Sequence, residues 1–167
     1  MGGASKVIVT AGSDAKCDLC RSLGADVAVN YNSEKFLDVV KRETDGKGIN
    51  LIIDLVGQSY WHDNTASAAM EAKIVLVAAM SGSMIEGFNL RALLNKRLWV
   101  LATTLRTRDS TYQGRLRDKF VEVAMQNLKD EKMRITVDKV FSWHSIAEAH
   151  KRMEANINAG KIICVVD

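Results

Sequence analysis

The chain has 167 residues, of which 47% are hydrophobic and 26% are charged, a composition typical of a soluble domain that buries a core. The net charge is only +3 and the Lys and Arg residues are spread evenly, which argues against nucleic acid as the main partner. No apolar run reaches the roughly 18 residues of a membrane span, and no leader segment opens the chain, so we expect a cytoplasmic protein.

The chain opens on a strand that turns into a helix. A β-branched run, Val7–Thr10, is followed by Gly12, which permits a tight turn, and by Ser13, a good helix N-cap residue. Further strands are predicted at 27–29, 51–56, 73–79 and 98–104. Helices are predicted at 14–23, 33–43 (capped by Ser33), 58–70, 90–95 and 109–128. Strand and helix alternate five times, which predicts a doubly wound parallel α/β sheet.

Two features go beyond this alternation. The nearly unbroken apolar runs Leu51–Val56 and Lys73–Ala79 are typical of parallel strands covered on both faces. The end of the chain has a different hydrophobic pattern. It contains an alternating strand at Ile135–Phe141, a helix capped by Ser145, and a last strand at Ile162–Val166.

Five stretches carry a resemblance to a known family: VTAGSDAK at 9–16, LGADVAVNY at 23–31, LIIDLVGQSYW at 51–61, TTLRTRD at 103–109 and EAHKRMEANINAGKI at 148–162. Together they span nearly the whole chain. They resemble the zeta-crystallin-like quinone oxidoreductases of the medium-chain dehydrogenase/reductase superfamily. The resemblance implies a Rossmann-like fold, with an incomplete dinucleotide-binding domain at 1–132 and a segment at 133–167 that returns to a catalytic domain.

The resemblance also implies twelve cofactor-binding residues. Four would surround the adenosine ribose and its 2′-phosphate: Gly12, Ser13, Lys16 and Tyr31. The others would follow the cofactor toward the nicotinamide: Gly57, Gln58, Ala78, Ala79, Met80, Thr103, Thr104 and Leu105. No catalytic acid or base is assigned, and no metal is expected, because the resemblance is to zinc-free enzymes.

The first corner indicates which nicotinamide cofactor to expect. Sites that prefer NAD place Asp or Glu at a strand tip, where the acid accepts the ribose hydroxyls and would repel a 2′-phosphate. Here the tip reads Thr-Ala-Gly-Ser, and Lys16 follows one turn into the helix. We therefore predict NADPH.

The family's glycine-rich turn and first strand should precede Val7, yet the chain begins at Met1-Gly2-Gly3. In the strand order 3-2-1-4-5-6 the absent strand lies between the strands at Val7 and Leu51. Three outcomes stay open: the chain is a piece of a longer protein, which we favour, or the flanking strands pair directly, or another subunit fills the gap. The segment from Met133 is predicted to be a hydrophobic contact surface or poorly ordered.

The function implied is an NADPH-dependent quinone oxidoreductase, or its cofactor-binding portion, with activity of this chain alone left open. A dimer joined at the edge strand Trp99–Thr104 is expected by analogy. The alternative is a catalytically inactive nucleotide- or partner-binding module.

Three further features have competing interpretations. Asp54, inside an apolar run, is expected to be a buried acid bonded to backbone or cofactor hydroxyls. Cys17 and Cys20 form C-x-x-C, but the chain contains no proline, which a thioredoxin-like fold needs in cis, so structural helix positions are favoured. The arginines around Tyr112 are expected to form a solvated helix face rather than an RNA-binding strip.

Overall fold

The computed structural model describes residues 3–166, which divide into two compact units, one ending at Gln113 and the other beginning at Gly114. Strands and helices alternate throughout. The strands are β1 Ile8–Ala11, β2 Val27–Asn30, β3 Ile49–Asp54, β4 Ala68–Leu76, β5 Trp99–Ala102, β6 Val137–Ser142 and β7 Lys161–Val165. The helices are α1 Asp14–Ser22, α2 Phe36–Glu43, α3 Trp61–Ser67, α4 Arg91–Lys96, α5 Ser110–Lys129 and α6 Ile146–Glu154. None of the helices within residues 3–166 combines the length and apolarity needed to cross a bilayer.

Every strand pair in the described residues is parallel. In the first unit β1 pairs with β2, and β3, β4 and β5 form a second sheet in that order; in the second unit β6 pairs with β7. The predicted α/β class with parallel strands is confirmed. Over residues 3–166 β1 and β3 form no ladder with each other, so direct pairing of these two strands does not occur here.

Two predicted helix boundaries were wrong, each for a local reason. Helix α2 begins at Phe36 rather than at Ser33, because the Ser33 hydroxyl donates to the Asn30 carbonyl in a turn instead of capping the helix. Helix α3 ends at Ser67 rather than near Met70, since Ala68 is extended and joins β4. Helix α6 begins directly after Ser145 and ends at Glu154, as predicted, but the Ser145 side chain makes no capping hydrogen bond.

Strand β3 is covered on one face only, which corrects the expectation of a strand buried on both. Leu51 and Ile53 are 54% and 62% exposed, whereas the intervening Ile52 is half-buried and packs against the core. Alternate side chains of a strand point to opposite faces, so the core lies on the Ile52 side. That core consists of Trp61, Ala68, Ala69, Ala72 and Ile74.

The second unit contains a β-α-β arrangement held by one ion pair. The Arg152 guanidinium donates to both carboxylate oxygens of Asp138, at 2.5 and 3.0 Å, which joins α6 to β6. Asp138 Oδ1 also accepts from the Ala159 amide at 3.0 Å. The Arg152 hydrogen bonds and this amide lower the pKa of Asp138 to about 2. That this segment forms a contact surface stays a prediction.

Candidate functional site

The first part of the site is the corner between β1 and α1. Ser13 has extended backbone angles, φ −161° and ψ 160°, and its side chain accepts from the Lys16 amide at 3.3 Å, so the predicted N-cap is confirmed. The helix N-terminus carries partial positive charge, which favours an anion in front of it. Gly12 and Ser13 form the corner, and Lys16 lies one turn into α1.

The end of β2 packs directly on this corner. The Tyr31 hydroxyl lies so close to Gly12 that a Cβ there would come within 2.5 Å of it, and only glycine allows this approach. The Tyr31 amide donates to Ala11 O at 3.1 Å, and the Asn32 side chain donates to Gly12 O at 2.8 Å. The structure therefore brings Gly12, Ser13 and Tyr31 together.

Two asparagines of this corner were missed by the sequence analysis. Asn32 holds the Gly12 carbonyl, and Asn30 donates to the carboxylate of Asp14, the first residue of α1, at 2.8 Å. Asn residues bonding to nearby backbone are typical of turns, so the Asn-Tyr-Asn run after β2 was the available signal.

Tyr60 joins the corner to the second part of the site. It follows β3, its ring lies 4.9 Å from that of Phe36, and the Thr10 side chain of β1 is near enough to act on the pKa of its hydroxyl. Burial raises the pKa of Tyr60. Thr10 lies near the end of β1 and Tyr60 lies in the short helical turn that follows β3, so their proximity brings the carboxyl ends of β1 and β3 close together.

The second part of the site is a largely apolar cavity of about 310 Å³ beyond the carboxyl ends of β3, β4 and β5. Open parallel sheets bind ligands at this edge. Its lining includes five of the residues that the resemblance assigned to the cofactor: Gly57, Gln58, Ala78, Ala79 and Thr103. Met80, Thr104 and Leu105 do not line it, and Met80 is 81% exposed.

Two glycines allow the turns that wall this cavity to cross. Gly57 has φ +85°, and a Cβ on it would lie 2.8 Å from Gly82 O and 2.9 Å from Ala79 Cα. The Gln58 carboxamide lies directly against Gly82, whose φ is +120°. A side chain at Gly57 would push the two turns apart, whereas one at Gly82 would displace the Gln58 carboxamide and strain the backbone. Gly82 was not identified from the sequence.

Asp54 is a fully satisfied buried acid at the base of this cavity wall. It is 3% exposed, and Oδ1 accepts from the amides of Val56 and Gly57 at 2.7 and 3.0 Å. Oδ2 accepts from the Asn64 side chain at 3.0 Å. The expectation of a buried acid bonded to backbone is confirmed. The role of Asp54 is to hold the turn after β3 in place, because its carboxylate oxygens are occupied by these hydrogen bonds.

The cysteine pair does not have the features of a redox centre. Cys17 is 1% exposed, and burial raises the pKa of its thiol, whereas a reactive cysteine needs exposure and a lowered pKa. Across residues 3–166 no group of three or more His, Cys, Asp or Glu side chains is arranged to hold a metal ion.

Comparison with known proteins places this chain in a family. Residues 1–122 match the family described as zinc-binding dehydrogenase. The chain belongs to the zinc-binding dehydrogenase family. Among curated relatives, the bovine (Bos taurus) quinone oxidoreductase-like protein 2 is 27% identical over 166 residues, which cover 95% of this chain and 45% of that protein. The chain thus spans less than half the length of this relative.

Two solved structures share the fold. An NAD-dependent alcohol dehydrogenase superposes with a TM-score of 0.78 at 26% identity, covering 97% of this chain and 44% of that one. A mycobacterial protein complexed with NADPH superposes with a TM-score of 0.76 at 22% identity, covering 96% of this chain and 50% of that one. The Rossmann-like fold is therefore confirmed. The first of these proteins is NAD-dependent, whereas the second is complexed with NADPH.

Proposed function

We propose that this chain is the cofactor-binding portion of an NADPH-dependent quinone oxidoreductase. The observation that carries the proposal is the meeting, at one edge of parallel strands, of a capped glycine corner and an apolar cavity. The position of Tyr60, which follows β3 and lies near Thr10 of β1, supports this common edge. A phosphorylated dinucleotide has a matching division, with the 2′-phosphate at the adenosine end and a flat, uncharged dihydronicotinamide ring at the other end.

The corner would hold the adenosine ribose and its 2′-phosphate. The Gly12 turn and the N-terminus of α1 suit an anion, and Lys16 would add a positive charge. The acid of the corner, Asp14, accepts a hydrogen bond from Asn30. Tyr31, 44% exposed, would form a wall of this subsite.

The cavity would hold the nicotinamide end. Its lining contains no titratable side chain, which fits the role of binding and orienting a ring while the cofactor supplies the hydride. Ala78 and Ala79 leave room for the nicotinamide ribose. The Thr103 amide already donates to Leu76 O at 3.0 Å, so its carbonyl and hydroxyl are what remain for the carboxamide. Met80, Thr104 and Leu105 stay predicted contacts.

The acceptor would be a quinone, without help from zinc. The name of the bovine relative supports this acceptor.

The competing proposal is a nucleotide- or partner-binding module without turnover. The open face of β3, with Leu51 and Ile53 exposed, favours it, because it leaves apolar surface for another protein to cover.

Fluorescence titration of the full chain with NADPH and with NADH tests the proposal. We expect saturable binding of both, tighter for NADPH, and loss of NADPH absorbance on adding a soluble quinone if the chain turns over alone. Binding without quinone reduction supports the binding module. Absence of saturable binding by either nucleotide would refute the cofactor role for this chain.

A further inference from the structure

The two turns that wall the cavity are bonded to each other along their length. The turn after β3 comprises residues 55–59, and the turn after β4 comprises residues 79–82. Backbone bonds run from Met80 N to Leu55 O at 3.2 Å, from Ser81 N to Val56 O at 2.8 Å, and from Gln58 N to Gly82 O at 3.0 Å. These hydrogen bonds fix the two walls relative to each other.

The Ser81 side chain, in the turn after β4, bonds through its hydroxyl to the turn after β3. It donates to Val56 O at 2.8 Å and accepts from the Ser59 amide at 3.0 Å. These two partners flank Gly57 and Gln58, the residues that line the cavity from this side. Ser81 is not itself a lining residue, so any effect on a bound molecule passes through the turn.

Asp54 holds the same turn from the other direction. Its carboxylate accepts from the amides of Val56 and Gly57, while Ser81 takes the Val56 carbonyl and the Ser59 amide. The buried acid is anchored to the core through Asn64, whereas Ser81 belongs to the opposite wall. Without Ser81, the Gly57 turn would keep its attachment to the core but lose its side-chain attachment to the Ala79 wall.

We propose that Ser81 is a positioning residue that sets the width of the nicotinamide end of the cofactor site. This inference rests on the proposed function, since it takes the cavity to be the nicotinamide subsite. The Ser81 hydroxyl keeps Gly57 and Gln58 at a fixed distance from Ala79. The nicotinamide ring and its ribose would therefore enter a cavity whose width is already set. The adenosine corner at Gly12 shares none of these bonds.

The test separates the two ends of the cofactor. Ser81→Ala in the full chain should weaken NADPH binding by roughly three- to tenfold, the effect of one or two lost hydrogen bonds. Adenosine 2′,5′-bisphosphate, which lacks the nicotinamide end, should bind within about twofold of wild type. Both dissociation constants are measured by isothermal titration calorimetry.

Two control variants accompany this measurement. Ser81→Thr keeps the hydroxyl and should restore NADPH binding. Ser22→Ala removes a serine hydroxyl of the same kind, bonded to Leu19 O at 2.7 Å near the far end of α1, and should leave both ligands unaffected.

The outcomes are distinct for each claim. Equal weakening of both ligands by Ser81→Ala, or no change in either, overturns the role of Ser81 while leaving the cofactor site standing. Absence of binding of both ligands to the wild-type chain instead overturns the proposed function, and the positioning role with it. Hydrogen exchange gives a second check. In Ser81→Ala the amides of Gln58 and Ser59 should exchange faster than in the wild-type chain, while the amides of α1 exchange at the same rate. Unchanged exchange at Gln58 and Ser59, or an equal acceleration in α1, would contradict the inference.

Discussion

At the scale of single residues, Lys16 is the group expected to select the 2′-phosphate. Lys16→Glu should weaken NADPH binding by at least about tenfold and NADH binding far less, because a carboxylate in place of the ammonium repels a phosphate and leaves ribose hydroxyls unaffected. Fluorescence titration with both cofactors measures this difference. Lys47→Glu, which makes the same charge change in the turn before β3, is the control and should affect neither. Equal loss of both cofactors in Lys16→Glu would remove the phosphate role.

At the scale of elements, Lys96 of α4 acts as a C-cap for α3. Its ammonium donates to the carbonyls of Thr65, Ala66 and Ala68 at 3.0, 2.7 and 2.7 Å, and burial lowers its pKa. A helix leaves its last carbonyls without intrahelical partners and carries partial negative charge at that end, so a cation there is stabilising.

Replacing this lysine should therefore destabilise the first unit. Lys96→Met keeps the length of the side chain but removes the donors, and we expect a loss of about 1–3 kcal/mol in the free energy of unfolding. Urea denaturation measures it, with Lys41→Met, an exposed lysine of α2, as the matched control. Equal midpoints for the two variants would show that the three carbonyls are satisfied as well by water.

The Asp138–Arg152 ion pair makes the second unit sensitive to acid. The pKa of Asp138 is lowered from 3.8 to about 2 in the folded chain, so the pair stabilises fully above pH 3.8 and its contribution is lost as pH falls through about 2. Asp138→Asn should accordingly be less stable than wild type at neutral pH, and this difference should shrink as pH approaches about 2. Denaturant titrations across this range measure it. A difference that does not change with pH would show that the pair contributes no net charge interaction.

At the scale of the whole molecule, β5 is an outer strand of its sheet and bonds to β4 on one side only within residues 3–166. All four of its residues are exposed, among them Trp99 at 58% and Leu101 at 45%. An apolar edge strand is a ready surface for pairing with another chain, which is the basis of the dimer that we propose.

A charge placed on this edge should prevent such pairing. Leu101→Lys is expected to shift a dimeric wild type toward monomer, because lysines on an edge oppose strand addition. Sedimentation velocity measures the distribution. Met125→Lys, at a similarly exposed apolar residue of α5, is the control. A dimer that survives Leu101→Lys unchanged would place the interface elsewhere.

Local signals in the sequence determined the order and type of the elements. β-Branched runs, glycine turns and the Ser13 cap act over a few residues, so the alternation of strand and helix and the β1–α1 corner were predictable from composition and spacing. Asp54 was predictable as well, because an acid inside an apolar run must find partners close by.

The tertiary structure alone decided the features that depend on distant contacts. Lys96 caps a helix about 30 residues before it, Ser81 bonds to two residues of one turn, 22 and 25 positions earlier, and Tyr60 lies near Thr10 of β1. No local pattern marks such partners, since a lysine or serine on a turn looks the same in sequence whether it meets water or a carbonyl. The open face of β3 was missed for a related reason: an apolar run shows that a strand can be buried, while burial itself depends on what packs against it.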